Sequence, residues 1–453
     1  MRPWKGHNTK LGSRRLLLAV AGMTVVWLVG VALAASGTIS AGSSPASFSY
    51  SHEKTALGPG SAIPIGHAFA LAGGQAAPGR GQAPPAGGQA APARGQTPVV
   101  VPAQIPANVM SQDVFKNVTA LINIPVDEFM QTMGIFSAAL SMCCAECHTG
   151  AGTDTVKWEL DTPTKRTARR MVGMMAAINK DNFNGRQVVT CWTCHRGRDR
   201  PVQSPTLDTV YGTPTLEPDD ILTRAPGGST PDQVLDKFLQ AVGGAAAANR
   251  LTSYVAKGNS VGFGRFAGRR PVEIYAKAPD LRATFNHTTD GDVARTYDGR
   301  TGWISTPLTA VKEFELSTGE LDGAKFDAQI AFPGQIKRLL TNMRVSFPST
   351  INDREVEVLQ GNGPRNLLVT LYFDKQSGLL VRMVRHTTSP VGRAPTQVDF
   401  ADYRDVAGVK LPYKFVFAWL DGQDTFELTE IQPNAAIDAA KFAKPPLPTP
   451  VAK

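Results

Sequence analysis

Val189-Thr190-Cys191-Trp192-Thr193-Cys194-His195-Arg196-Gly197 carries the spacing around which the rest of the chain is read. It holds a C-x-x-C-H motif, and a second stands upstream at Cys144-Ala145-Glu146-Cys147-His148. In this motif two thiols add across the two vinyl groups of a haem, and the adjacent histidine becomes an iron ligand. The pattern therefore predicts two covalently bound haem c groups. Cys144, Cys147, Cys191 and Cys194 are the attachment residues, and His148 and His195 the fifth ligands. Two other chemistries use similar residues. Zinc would find only three ligands per motif and no fourth nearby. A thiol–disulfide exchanger would sit in a βαβ pattern, which the flanking sequence lacks. The fifth cysteine, Cys143, is left without a partner and receives no role.

Helical spacing leads into each motif. Val126 to Met142 places Phe129, Met130, Met133, Phe136 and Leu140 at helical intervals. Thr164 to Asn179 does the same with Ala168, Met171, Met175 and Ile178. A thioether as sixth ligand stabilises ferrous iron and raises the potential. The methionine clusters supply such ligands, although methionine also fills core gaps. Arg196, Arg198 and Arg200 follow the second motif and suit haem propionates, an acidic redox partner or a solvated loop.

The 453 residues leave room for two or three domains. Charged residues make up 19% of the chain, and the formal charge is +9. That balance suits anionic membrane surfaces or acidic proteins. Nucleic acid is not an expected partner, because no basic helix, zinc finger or RNP-like strand is present. Arg2, Lys5, Lys10, Arg14 and Arg15 precede an uncharged run from Leu16 to Ala35. Residues 1–35 read as a signal peptide cleaved near Ala34 or as an uncleaved membrane anchor, and either exports the rest of the chain. The expected location is the periplasmic face of a bacterial inner membrane.

Residues 36–108 read as a disordered tether. Gly73-Gly74-Gln75-Ala76-Ala77-Pro78 recurs at Gly87-Gly88-Gln89-Ala90-Ala91-Pro92, with almost no large apolar residue to bury. Residues 109–205 form the cysteine-bearing unit, and 206–229 a second, Pro- and Gly-rich linker. In 230–445, Thr230-Pro231-Asp232 opens a helix that Gly243-Gly244 closes. Strands and tight turns come next, such as Leu371-Tyr372-Phe373 and Leu379-Leu380-Val381 around Asp374–Gly378. The fold class predicted is multidomain: a small α-helical dihaem cytochrome c domain, then a mainly antiparallel β domain of α+β type.

Ala168-Arg169-Arg170-Met171, Ile178-Asn179 and Val189–Gly197 together resemble the cytochrome c subunit of photosynthetic reaction centres. Phe129-Met130-Gln131-Thr132-Met133 looks like that family's first haem unit. The resemblance covers about residues 110–205. It implies Met171 as one sixth ligand and Met130 as the other, with the spacing leaving Met133 open. Well-known members carry four haems, whereas this chain has two motifs and no histidine between Met171 and Cys191. It resembles a half-length, dihaem version, for which a respiratory membrane complex is as apt a partner as a reaction centre.

Glu273–Pro279, Tyr297-Asp298-Gly299 with Gly302-Trp303, and Gly408–Pro412 are similar to lipoprotein-carrier half-barrels. That implies a curved sheet around a helix and an apolar ligand, or simply a packed docking scaffold. The function expected is therefore a membrane-associated, periplasmic one-electron carrier rather than an enzyme. The alternatives are a lipid- or lipoprotein-binding protein with an attached haem sensor or electron supply, and a dihaem peroxidase, which the methionines argue against.

Overall fold

The computed structural model describes residues 105–153, 155–211, 217, 226–263, 268–307 and 311–447. The expected signal or anchor segment, nearly all of the tether and much of the second linker lie outside these residues. No helix among the described residues is long and apolar enough to cross a membrane.

The helical part begins with α1 (Ser111–Val114) and α2 (Val126–Leu140). Pro125 precedes α2, Asp127 and Glu128 occupy its first turn, and Ser141 closes it in the left-handed region at φ 54°. The first cysteine motif forms α3 (Cys144–Cys147). Next comes α4 (Pro163–Phe183), where the Thr162 hydroxyl accepts from the Lys165 amide at 3.2 Å and Pro163 takes the first helical position. The second motif forms α5 (Cys191–His195), and α6 (Leu207–Tyr211) comes after it. In α7 (Pro231–Ala241) Thr230 and Gln233 cap each other as the sequence suggests, and α8 (Ala245–Arg250) starts after Gly243 and Gly244, both at positive φ.

Fourteen strands then build one sheet. They are β1 (Ser253–Gly262), β2 (Arg269–Lys277), β3 (Leu281–Thr288), β4 (Gly291–Tyr297), β5 (Gly302–Ser305), β6 (Glu313–Glu315), β7 (Thr341–Val345), β8 (Ser349–Ile351), β9 (Arg354–Asn362), β10 (Leu368–Asp374), β11 (Leu380–Ser389), β12 (Gly392–Val406), β13 (Val409–Trp419) and β14 (Gly422–Pro433). Between β6 and β7 runs α9 (Thr318–Ile330). The order is β6-β5-β4-β3-β2-β1-β14-β13-β12-β11-β10-β9-β7, with β8 beside β9. All strand pairs are antiparallel. Two meanders, β1–β6 and β9–β14, join where β1 pairs with β14, while β7 and β8 both pair with β9.

This sheet curls. Val293 of β4 and Val398 of β12 line one cavity although six strand spacings separate them. In a flat sheet six spacings would be about 29 Å. The side chains of Leu235 and Phe238 from α7 and Phe326 from α9 pack with Leu371, Phe373 and Met383, so helices fill the sheet's inner face.

The helical part packs on the same body, and α2 makes the junction. Both Asp127 carboxylate oxygens accept from Ser317, one from its amide (2.6 Å) and one from its hydroxyl, which precedes α9. Gln131 donates to Glu320 (2.7 Å) and Thr387 (2.6 Å). Met130 is 6% exposed among Tyr297, Ile304, Phe314 and Ala324. Ile105, inside the stretch read as tether, is fully buried and bridges to Phe314 of β6. Behind this contact Arg385 is wholly buried and pairs with Asp327 at 3.1 Å. It crosses α9 at Gly323, where a Cβ would fall 2.3 Å from a guanidinium nitrogen.

Several buried carboxyls have their pKa raised by burial. Burial pushes Asp127 and Asp424 up to about 6 and Asp421 up to about 7. The folded chain thus binds protons that unfolded aspartates, with pKa about 3.9, have released. Stability is fully present below about pH 4 for these groups and is lost as pH rises through 6 to 7. The thermal midpoint is predicted to fall between pH 5 and pH 8 in a melting series, and Asp421→Asn to flatten that fall. A midpoint rising over this range would contradict these assignments.

Candidate haem-binding region

The first motif is a single helical turn closed by its own histidine. The His148 amide donates to the Cys144 carbonyl at 2.7 Å. The His148 ring lies against Trp158, centroids 5.1 Å apart, with Nδ1 3.3 Å from the Trp158 carbonyl. That carbonyl also accepts from Lys165 Nζ at 2.8 Å, and Thr162 donates to the Cys147 carbonyl at 3.0 Å. The loop between α3 and α4 is thereby folded onto the histidine. In the second motif Thr190 and Thr193 cap α5, and Arg196 and Gly197 turn the chain at φ 49° and 79°. His195 Nδ1 is 2.9 Å from the Arg198 carbonyl.

The two histidines share one feature that a sequence motif does not show. A carbonyl only accepts, so each Nδ1 carries a proton, and Nε2 is the nitrogen left for a metal. A backbone carbonyl holding Nδ1–H is a usual way for a protein to orient a metal-binding imidazole. Burial, followed by the nearby Lys165 charge, lowers the pKa of His148 and favours the neutral ring that a metal requires. Burial also pushes the Cys191 thiol up to about 11 and raises Cys147. Redox-exchange cysteines need the opposite shift. Among the described residues no cluster of histidine, cysteine and carboxylate side chains could hold a metal ion by itself.

The second motif is fastened on two sides. The Gly197 amide donates to the Ala139 carbonyl of α2 at 2.9 Å, and the Cys191 amide to Val391 at 3.2 Å, in the β11–β12 turn. Asn179, only 6% exposed, ties the approach: its Oδ1 accepts from the Val188 and Val189 amides, and its Nδ2 donates to the Val189 carbonyl. The Ile178-Asn179 pair is the signal in the sequence for this role, because a buried asparagine must satisfy both ends of its amide.

The methionines separate by surroundings. On α4 the buried positions are Val172, Met175 and Asn179, whereas Met171 is 37% and Met174 49% exposed. Of the apolar stripe Ala168, Met171, Met175 and Ile178, only Met175 is buried. Met171 and Met174 thus keep part of their side chains at the surface. On α2, Met130 is spent in the sheet's core, whereas Met133 packs in the cluster with Val172, Met175, Val189 and Cys191. Six of the twelve exposed large apolar side chains among the described residues lie in this part: Ile122, Leu160, Met171, Met174, Val188 and Trp192. Apolar surface left open around thiols and oriented imidazoles fits a flat, apolar macrocycle. Arg196, Arg198 and Arg200, directly after the second motif, are all exposed.

Residues 83–214 match a family model described as the photosynthetic reaction centre cytochrome c subunit. This stretch resembles the reaction-centre cytochrome c family. The photosynthetic reaction center cytochrome c subunit of Roseobacter denitrificans is 33% identical over 99 residues, 20% of this chain and 26% of that relative. The match spans about a quarter of the relative's length. The family implies covalently bound haem c and membrane redox partners. Solved structures similar to about half of the chain include a LolA superfamily protein from Nitrosomonas europaea, at 13% identity, 48% of this chain, 99% of that one and TM-score 0.32. A DUF1329 family protein from Desulfovibrio piger is similar at 8% identity, 47% and 96% coverage and TM-score 0.34. These similarities are too distant to bear on function.

Met130→Ala and Met133→Ala should separate packing from ligation. Met130→Ala is expected to cost about 2–5 kcal/mol of stability and to leave the near-infrared sulfur–iron charge-transfer band intact. Met133→Ala should diminish that band with a smaller loss of stability. The reverse pattern, read by near-infrared absorption and denaturant unfolding, would return the ligand role to Met130.

Proposed function

We propose that the chain is an exported one-electron carrier with two haem c groups, attached at Cys144 and Cys147 and at Cys191 and Cys194. His148 and His195 would hold the irons through Nε2, with Met171 and Met133 as sixth ligands in place of the expected Met171 and Met130. The observation that carries this reading is the pair of Nδ1–carbonyl contacts, which present both motif histidines in the tautomer that binds a metal. When bound, the haems supply the redox chemistry, while the protein tunes potential and access through ligands and burial. The chain's own residues orient the imidazoles, offer thioethers and cover one side of each site with α2 and α4.

With Met171 and Met133 holding the irons, peroxide would find no free place to bind. Carriage, not peroxide turnover, is therefore the reading favoured. The arginines after His195 suit an acidic surface on a membrane redox complex, photosynthetic or respiratory. Export to the periplasmic face, by anchor or cleaved signal, is part of the proposal because haem c attachment uses it.

Protein matured in cells that attach haem c should give two haems per chain by pyridine haemochrome and an intact mass raised by two haems. Cys194→Ser should lower the count of doubly attached haem to one. A single haem or none in the unaltered chain would refute the carrier reading.

A further inference from the structure

The curled sheet encloses a cavity of about 230 Å³. Its mostly apolar wall carries the aromatic side chains of Tyr254, Phe400, Phe415, Phe417, Trp419 and Phe426. An apolar cavity of about 150 Å³ already admits benzene, so a substituted ring fits here. One part of the wall is not sheet at all. Gln131 and Gly134 of α2 line it, and a Cβ on Gly134 would lie 3.4 Å from the Asp421 carboxyl. The opposite side of the same helix packs on the second cysteine motif through Met133, Phe136 and Ala139. An α-helix with its side chains is about 10–12 Å across, so cavity and motif are separated by roughly one helix.

Asp421 is the unusual group in this wall. It is 4% exposed, and its Oδ2 has no hydrogen-bond partner. The Trp419 indole N–H lies close but outside hydrogen-bond geometry. The other carboxylates lining the cavity are paired: Glu320 with Arg295 at 3.3 Å and Asp327 with Arg385 at 3.1 Å. Asp421 thus offers a buried oxygen with nothing to bind, at the point where an aromatic cavity meets the haem-motif helix. Burial holds this carboxyl up at about 7, where it can gain or lose a proton near neutrality.

We propose that the cavity binds a quinol and that the quinol is an electron donor to the chain, with Asp421 taking a proton from its hydroxyl. The inference rests on the dihaem reading. One quinol loses two electrons and two protons and leaves as quinone. With both haems bound and ferric, each would accept one electron, while one proton goes to the Asp421 carboxylate and the other to solvent. A two-electron donor therefore matches two one-electron acceptors on one chain. A saturated acyl chain would use the apolar wall but neither the lone carboxyl nor the redox partner behind α2.

The test uses the oxidised holoprotein and decyl-ubiquinone. Calorimetric titration should show one saturable site per chain. Phe417→Ser, which removes aromatic wall, and Gly134→Leu, which fills the end beside α2, should each weaken it about tenfold or more. Anaerobic decyl-ubiquinol should reduce both haems, more slowly in the same variants and in Asp421→Asn, while ascorbate reduces all forms alike. Haem content is counted first, so that loss of haem, which sinks the carrier reading, is distinguished from loss of the site, which calorimetry reports independently. No saturable quinone binding, tighter binding of laurate than of the quinone, or equal quinol reduction in every variant would overturn the proposal.

Discussion

Everything in this molecule depends on a helix that belongs to two structures at once. One face of α2 is built into the sheet: Asp127 against Ser317, Gln131 against Glu320 and Thr387, and Met130 in the core beside Phe314. These polar contacts are buried, where an unmatched partner costs more than it would in water. The helix is therefore held in register to within a side chain. Its other face, through Met133, Phe136 and Ala139, supports the second cysteine motif. A shift of α2 would disturb both.

That arrangement gives the sheet a function other than bulk. The Cys191 amide is bound by the β11–β12 turn, and Gln187 donates to the Ser389 carbonyl at 2.7 Å in the same turn. The second motif is thus clamped between α2 and the sheet. The first is held mainly by its own loop, through Trp158, Thr162 and Lys165. Two sites of the same chemistry sit in unequal surroundings. Burial and the hydrogen bonds made by the ligands are levers that set redox potential, so in the proposed carrier the two haems would be held at different potentials.

The cysteine motifs are legible in the sequence because covalent chemistry fixes their spacing, and the Thr230 cap because capping chemistry is local. The start of α2 and most of α4 are legible from periodicity. Which residues of α4 face inward is not. Periodicity finds an apolar stripe through Met171 but does not say what covers it, and it does not single out Val172 as the buried neighbour. Met130 and Met133 are inseparable for a similar reason: both are methionines on one helix, and only the sheet's position tells them apart. The burial of Ile105, the Asp127–Ser317 contact and the curl of the sheet join residues far apart in the chain. No local pattern announces such contacts.

The central claim is that α2 makes the haem-motif region and the sheet one cooperative body. Equilibrium denaturation of the holoprotein, monitored at once by the haem absorbance and by the far-ultraviolet signal of the sheet, tests it most directly. The account predicts a single transition with coincident midpoints and slopes, as two-state unfolding requires, and a joint shift of both probes in Gln131→Ala. Loss of the haem signal in a separate, earlier transition, with the sheet left intact, would contradict it.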